Sequence, residues 1–525
     1  MKYFSIIVFF CSFLVETFAQ SNVRAWQAHG QVWVVWENDQ PLSGQFSIFT
    51  NPDLSPDLTT WNEIGRLFPE LTYPASARRH IGIDDLHYKI PNGNGGTYTL
   101  EENEGLFVET IRETKDQYFL IQNCEEGPCN LPVAQSSVSN QVNILFDETS
   151  RPKPHLQAST EISLGQFINL FYLWTEGRSD HRDGLPCFPI MGNQHTNGWP
   201  HVFAVWNGPN ADLSEPAPAI HWLHGGSGNF SQYLPDRRPE INNNSDEGVV
   251  VCHNDDFMRY VQGHLVFNES NSWWFGWGKD HNPFDKSHNG PSASDTIINY
   301  SQRRIKFIND WLIEQGVVDE HRVAIQGYSV GSAGAVGMVK SFPEIFSSAS
   351  IFSCGHQGPD DDNFGSLLLG NKELDLPTNL KDRFGNTLHI HDLYDLQTFT
   401  SFEDLPLIRS WHGKNDINPT MKWDKEFLDE ARYADSIGLG YQLYWDERTH
   451  PILEWNTHWT NGPSSSEQTQ KDNTAFHERY RNDQSYPVFY NYRLYDIEHI
   501  DPGDGSLGTG AIGVGDDWGT WGGYH

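Results

Sequence analysis

Positive charge is scarce in this chain. Its 525 residues carry 35 Lys and Arg against 69 Asp and Glu, a formal net charge of −34. A field of that sign repels phosphates, which argues against nucleic acid or an anionic membrane as partner and fits solubility outside the cell. Long apolar runs are scarce too. The one such stretch, Tyr3 to Val15, follows Lys2 and precedes Thr17-Phe18-Ala19, a small-x-small cleavage site. It is too short to span a bilayer and reads as a secretory targeting segment over residues 1–19, with the mature chain beginning near Gln20. Phe9 and Phe10 stand before Cys11 where a lipoprotein has small residues. No later run reaches the length of a membrane helix, so the expectation is a secreted protein, extracellular or periplasmic, with no membrane span. No span is collagen-like, and no blade-length repeat marks a propeller.

Cysteine is sparse as well. Cleavage leaves Cys124, Cys129, Cys187, Cys252 and Cys354. Cys124 and Cys129 bound a short loop, Asn-Cys-Glu-Glu-Gly-Pro-Cys, that a disulfide can close in an oxidising compartment. Cys252 and Cys354 each end an apolar run and read as buried strand residues. The odd count leaves a free thiol or an unseen partner.

Aromatics are abundant, with 19 Trp, 20 Tyr and 31 Phe, enough for sizeable cores. The length points to two or three domains. Over 20–147, period-two runs alternate with turn residues: Val23 to Ala28, Gln31 to Glu37, Gly44 to Phe49, Gln117 to Gln122 and Asn140 to Phe146. Few helical patterns intervene, so a small all-β sandwich is expected. The early Trp-bearing strand pair and the late Tyr118 strand resemble a fibronectin type III module with insertions. Residues 148–156 are polar, hold two prolines and read as a linker.

From 157 to 460 apolar runs alternate with helical stretches, the mark of an α/β domain. Strands are expected at Phe167 to Trp174, His201 to Trp206, Ala219 to Leu223, Gly248 to Cys252, Arg322 to Tyr328, Ala349 to Phe352, Leu407 to Trp411 and Tyr441 to Trp445. That makes about eight in a mostly parallel sheet, with helices near Ser294–Gln315 and Met421–Ile437. Residues 461–525 read as an extension packed on this domain.

The sharpest signal is Arg322-Val-Ala-Ile-Gln-Gly327-Tyr-Ser329-Val-Gly331-Ser-Ala-Gly-Ala335. A β-branched run enters Gly-x-Ser-x-Gly, and small residues follow. That pattern reads as a strand, a sharp turn and a closely packed helix, which lifts the Ser329 hydroxyl to a helix N-terminus. A serine nucleophile needs a base, and the base needs a carboxylate to fix its tautomer. Asp416 follows a strand in His412-Gly413-Lys-Asn-Asp416, and His450 lies just beyond the next strand. Asp424 and Asp446 are rival acids, and His458 is the rival base. An oxyanion needs backbone N–H donors. Val330 supplies one. Gly226 or Ser227, in His224-Gly225-Gly226-Ser227-Gly228-Asn229, supplies the other. His224 itself reads as structural, its ring bonded to loop backbone.

Together these four pieces resemble the α/β-hydrolase superfamily over about residues 160–460, and within it secreted bacterial esterases and polyester depolymerases. The His-Gly-Gly-Ser loop is similar to the His-Gly-Gly-Gly motif of esterases and lipases, with Ser227 where the third Gly would stand. The resemblance implies an α/β-hydrolase fold behind the β-sandwich and cleavage of carboxylic esters, the ester being a polymeric or plant-derived one in the reading that goes furthest. A peptidase of the same fold and a non-enzymatic binding protein on that scaffold are the rival readings. Trp273, Trp274 and Trp277 form an aromatic cluster where this fold can border the mouth of the site, and are candidate substrate-binding residues, with core packing as the alternative. No cofactor or catalytic metal is expected. Asp360-Asp-Asp362 and Asp501-Pro-Gly-Asp504 offer hard oxygens suited to Ca²⁺ but match no EF-hand loop, and read more simply as solvated turns. The Asn268 sequon matters only in a glycosylating host. Oligomeric state is not legible.

Overall fold

The computed structural model describes residues 20–38, 44–124, 129, 131–163, 165–179, 188–235, 245–261, 263–266, 271–287, 290–356, 366–398, 405–446, 449–450, 478–484, 501–506 and 519–522. The targeting segment, Cys187, Asn268, Asp360 to Asp362 and His458 lie outside the described residues.

Two antiparallel sheets face each other in the N-terminal region. One has the order Gln20–Ala28, Gln31–Asn38, Glu104–Thr110; the other Asn62–Leu67, Gln45–Asn51, Lys115–Cys124, Val142–Ile144. Five of these strands fall on the period-two runs of the sequence. Asn62–Leu67 and Glu104–Thr110 are additions. A disulfide joins Cys124 to Cys129, with Cα atoms 5.7 Å apart. Between the added strands lie a hairpin, Lys89–Pro91 with Thr97–Thr99, and the short helix α1, Ala75–Ile81. Helix α1 ends on Gly82 at φ 71°, whose N–H returns to the Arg78 carbonyl. Glycine takes that left-handed position without the Cβ penalty, which is why the helix stops there.

The second sheet has ten strands in the order His155–Ser163, Gln166–Trp174, Pro200–Asn207, Val249–Cys252, Ala217–Leu223, Val318–Tyr328, Ser348–Phe352, Leu407–Gly413, Tyr441–Asp446 and Gly519–Gly522. Its middle, from Val249–Cys252 to Tyr441–Asp446, is parallel, and both ends are antiparallel. The sheet is therefore larger and more mixed than the eight-stranded one expected. The extra edge strands are His155–Ser163, which begins inside the residues read as linker, and Gly519–Gly522. Helices α2 (Tyr300–Glu314), α3 (Val330–Ser341), α4 (Ser366–Leu369) and α5 (Lys425–Ser436) belong to this region, together with two small sheets of four and two strands. Every residue of α3 from Val330 to Val339 is buried. That explains its run of small and aliphatic residues with no polar face.

The N-terminal sheets share packing with the second sheet. Six consecutive residues of Gln31–Asn38, from Gln31 to Trp36, are buried. Side chains of a strand alternate between faces. Val32, Val34 and Trp36 fill the sandwich with Phe46, Phe107 and Ile121. Trp33 and Val35 belong to a second core with Tyr172, Trp174, Val202 and Trp222 of the large sheet. The Trp33 and Trp174 rings meet edge-on at 5.2 Å. Arg112 pairs with the buried Glu176 across the same junction, Nε to Oε1 at 2.8 Å. The described C-terminal pieces also pack on the second sheet. The Glu478 carboxylate accepts from the Ser245 hydroxyl at 2.9 Å and the Asp246 N–H at 2.6 Å.

Candidate active site

The strand Val318–Tyr328 delivers Ser329 at a turn that only its small neighbours permit. A Cβ on Gly327 would lie 1.9 Å from the Gly331 carbonyl oxygen, and one on Gly331 would lie 2.1 Å from the Leu223 carbonyl oxygen. Backbone thus packs on backbone on both sides of the serine. Ser329 sits at φ 54°, ψ −122°, a conformation that costs an L-residue on the order of 1–3 kcal/mol and must be held by its surroundings. Its N–H donates to the Phe352 carbonyl at 2.9 Å, and its carbonyl accepts from the Ser332 hydroxyl and N–H.

Three sequence-predicted residues meet here. The Ser329 hydroxyl lies 2.9 Å from His450 Nε2, and His450 Nδ1 lies 2.7 Å from Asp416 Oδ2. An ionised carboxylate only accepts, so the proton of the neutral ring sits on Nδ1 and leaves Nε2 free to accept from serine. Asp416 is fully buried and accepts the Asn418 N–H at 2.9 Å on its other oxygen. The rival acid Asp424 caps α5 instead, accepting the Phe427 N–H at 2.9 Å. Two residues that sequence reasoning gave no role fix the histidine from behind. The Tyr328 hydroxyl donates to the His450 carbonyl at 3.0 Å, and the Ser353 hydroxyl does so at 3.3 Å. Tyr328 stood inside the quoted motif, and its place beside the nucleophile was the signal available.

The loop after Ala217–Leu223 crosses directly in front of the serine. A Cβ on Gly225 would stand 3.3 Å from Ser329 Cβ, and one on Gly226 would stand 3.6 Å from Val330 Cγ2. Among the described residues, no hydrogen bond takes up the N–H of Gly226, Ser227 or Val330. Ser227 adopts φ 57°, the conformation that glycine would hold at less cost. His224 fixes the loop. Its Nδ1–H donates to the Gly225 carbonyl at 2.8 Å, and its Nε2 accepts the Asp255 N–H at 3.0 Å. The imidazole is neutral in that arrangement, and burial pushes its pKa down.

The three tryptophans are a correction. Trp273, Trp274 and Trp277 are no more than 1% exposed. They are core residues, not a substrate platform, because the turn that carries Trp273 and Trp274 is folded inward around a carboxylate and Trp277 lies on the short strand Trp277–Gly278, paired with Ile298. Asp255 accepts from the Ser272 and Trp274 N–H groups at 2.8 and 3.1 Å, and Trp273 and Trp274 both take positive φ. Trp274 then lies over Gly334 of α3 and donates its Nε1–H to the His224 carbonyl at 3.0 Å. Trp277 packs between Phe257 and Tyr300, with ring centroids 4.7 and 4.8 Å away. Cys252 and Cys354 are buried with free thiols, and burial lifts the Cys354 thiol to about 12, far from a reactive thiolate. Asp501 and Asp504 accept from the N–H groups of Gly503 and Ser506 in local turns.

No family model matches the chain, and no curated protein does. Among solved structures the chain is similar to an S-formylglutathione hydrolase from Agrobacterium tumefaciens, at 14% identity, covering 62% of this chain and 99% of that one with a TM-score of 0.41. It is also similar to a ferulic acid esterase, at 13% identity over 60% of this chain and 98% of the other, TM-score 0.35. A bacterial heroin esterase is similar at 15% identity over 61% of this chain and 85% of the other, with a TM-score of 0.35.

Proposed function

We propose that this chain is a secreted serine hydrolase of the α/β-hydrolase type that cleaves carboxylic esters. The observation that carries the reading is the unbroken line from the Ser329 hydroxyl through the His450 ring to the Asp416 carboxylate, at 2.9 and 2.7 Å. Ser329 attacks the ester carbonyl as His450 Nε2 takes its proton. The imidazolium that forms is stabilised by Asp416. The N–H of Val330 and that of Gly226 or Ser227 receive the negative charge developing on the carbonyl oxygen. His450 then protonates the leaving alcohol, and water, activated by the same ring, releases the acyl group from Ser329. The N-terminal sandwich, with sheets of three and four strands, is read as a fibronectin type III-like module. Secretion rests on the targeting pattern of residues 1–19 and on the Cys124–Cys129 disulfide, which belongs to an oxidising compartment.

The test uses the full chain and a fluorophosphonate probe, followed by a panel of para-nitrophenyl acyl esters and peptide anilides. Labelling and ester hydrolysis are expected in the wild type, and both vanish in Ser329→Ala. Activity confined to anilides would replace the esterase reading by a peptidase one. A folded wild type that never labels would remove the enzyme reading altogether.

A further inference from the structure

Helix α1 of the N-terminal region contacts residues next to the oxyanion loop and its support. It places His80 Nε2 3.3 Å from Asp256 Oδ2, with each side chain only 8% exposed. The same ring meets Phe230 edge-on at 6.2 Å. Neither contact is to the loop itself, but each residue leads to it. Phe230 begins the short turn of helix that follows Asn229, the last residue of the loop. Asp256 is bonded through the backbone to Asp255, whose N–H holds His224 Nε2.

From there the geometry reaches the reacting oxygen. His224 Nδ1–H grips the Gly225 carbonyl. In a trans peptide the carbonyl and the next N–H point in opposite directions. A fixed Gly225 carbonyl therefore fixes the direction of the Gly226 N–H. The loop needs such support, because Ser227 holds a left-handed backbone that a residue with a side chain adopts at a cost. Helix α1 is itself anchored to the large sheet, where the Ala77 N–H donates to the Tyr172 hydroxyl at 3.3 Å.

We propose that helix α1, acting through His80 and Asp256, clamps the oxyanion loop, so that the N-terminal module is a positioning part of the catalytic site. The inference rests on the serine hydrolase reading above. His80 and Asp256 are positioning residues and touch no substrate.

The test compares full-length wild type, His80→Ala, Asp256→Asn and the double variant. Fluorophosphonate titration first counts working sites, and kcat and KM for para-nitrophenyl acetate are then expressed per titrated site, with Tm measured alongside. Loss of a whole oxyanion donor costs 100-fold or more, so a loosened one is expected to lower kcat about tenfold, with KM within about twofold. The double variant should be no slower than the slower single one. Should His80→Ala fail to fold, His80→Gln, which keeps a polar side chain of similar reach, carries the same comparison. Unchanged kcat per site in the single variants, whatever happens to Tm, overturns the clamp and leaves α1 a packing element. Losses that multiply in the double variant also overturn it, because His80 and Asp256 would then act separately. A wild type that does not label removes the hydrolase reading and the clamp with it, an outcome distinct from a labelled wild type with unaffected variants.

Discussion

At the scale of single residues, the site shows which signals a sequence carries. Ser329, Asp416 and His450 were legible because each stands in a short pattern whose residue types follow from chemistry: glycines around the serine, a carboxylate after one strand, a histidine after the next. The tryptophans were not, because an aromatic cluster looks the same whether its rings face a cleft or the core. The Asp255 carboxylate, 17 and 19 residues before Ser272 and Trp274, holds the backbone that turns Trp273 and Trp274 inward. Trp277→Ala should therefore behave as a core truncation. Its ring is 1% exposed, and removal of a buried Trp costs about 3–5 kcal/mol. Denaturant titration should show that loss while KM for a short ester stays unchanged. A raised KM at unchanged stability would restore the substrate-binding role.

At the scale of elements, long apolar runs between turn residues were easy to read even where both faces are covered, as in Ala217–Leu223 and Leu407–Gly413, and strands without such a run were not. Glu104–Thr110 is buried at six of seven positions, so it offers no alternation. Helix α1 was missed because seven residues hold too few apolar positions to show a helical period, although Pro74 before it and Gly82 after it mark its ends. Helix α5 was legible, and its start separates two acids. Asp424 caps the helix whereas Asp416 meets His450. Asp424→Ala should lower stability by about 1 kcal/mol, the usual worth of such a cap, with kcat unaltered. Asp416→Asn should instead lower kcat about 10⁴-fold, because the amide favours the wrong tautomer of His450. Thermal melts and steady-state kinetics on both variants check the assignment, and an inactive Asp424→Ala would reverse it.

At the scale of the whole molecule, buried titratable groups shape stability against pH. His155 and His356 are pushed down to about 3 and His221 to about 4, in each case mainly by burial, and His201 and His253 also lie well below the ordinary value of 6.5. Below pH 6.5 the unfolded chain takes up protons at these rings and the folded one does not. Stability contributed above 6.5 is therefore lost as pH falls toward 4, each ring adding about 1.4 kcal/mol per pH unit to the slope. Glu430 works in the opposite direction. Burial, reinforced by Asp395, raises it from 4.5 to about 10. The folded chain keeps that proton while the unfolded one loses it, so its contribution is full below 4.5 and declines as pH rises toward 10. Tm should accordingly peak near neutrality. Glu430→Gln should raise Tm at pH 8 and leave it unchanged at pH 4.5, which a calorimetric series across that range would check. Equal effects at both pH values would mean that Glu430 ionises normally in the fold.

The strand Gln31–Asn38, with apolar side chains on both faces, also bears on how the protein is made. It leaves the ribosome well before Gln166–Trp174, the strand whose aromatic residues cover Trp33. At about 5–20 residues per second the interval is on the order of ten seconds. Throughout it the sandwich can close on itself yet still shows a greasy outer side, a surface that holdase chaperones recognise. A cut between residues 148 and 156 would make that exposure permanent on both fragments. The two halves are thus partners in synthesis as well as in shape, and the module is no interchangeable bead on a string.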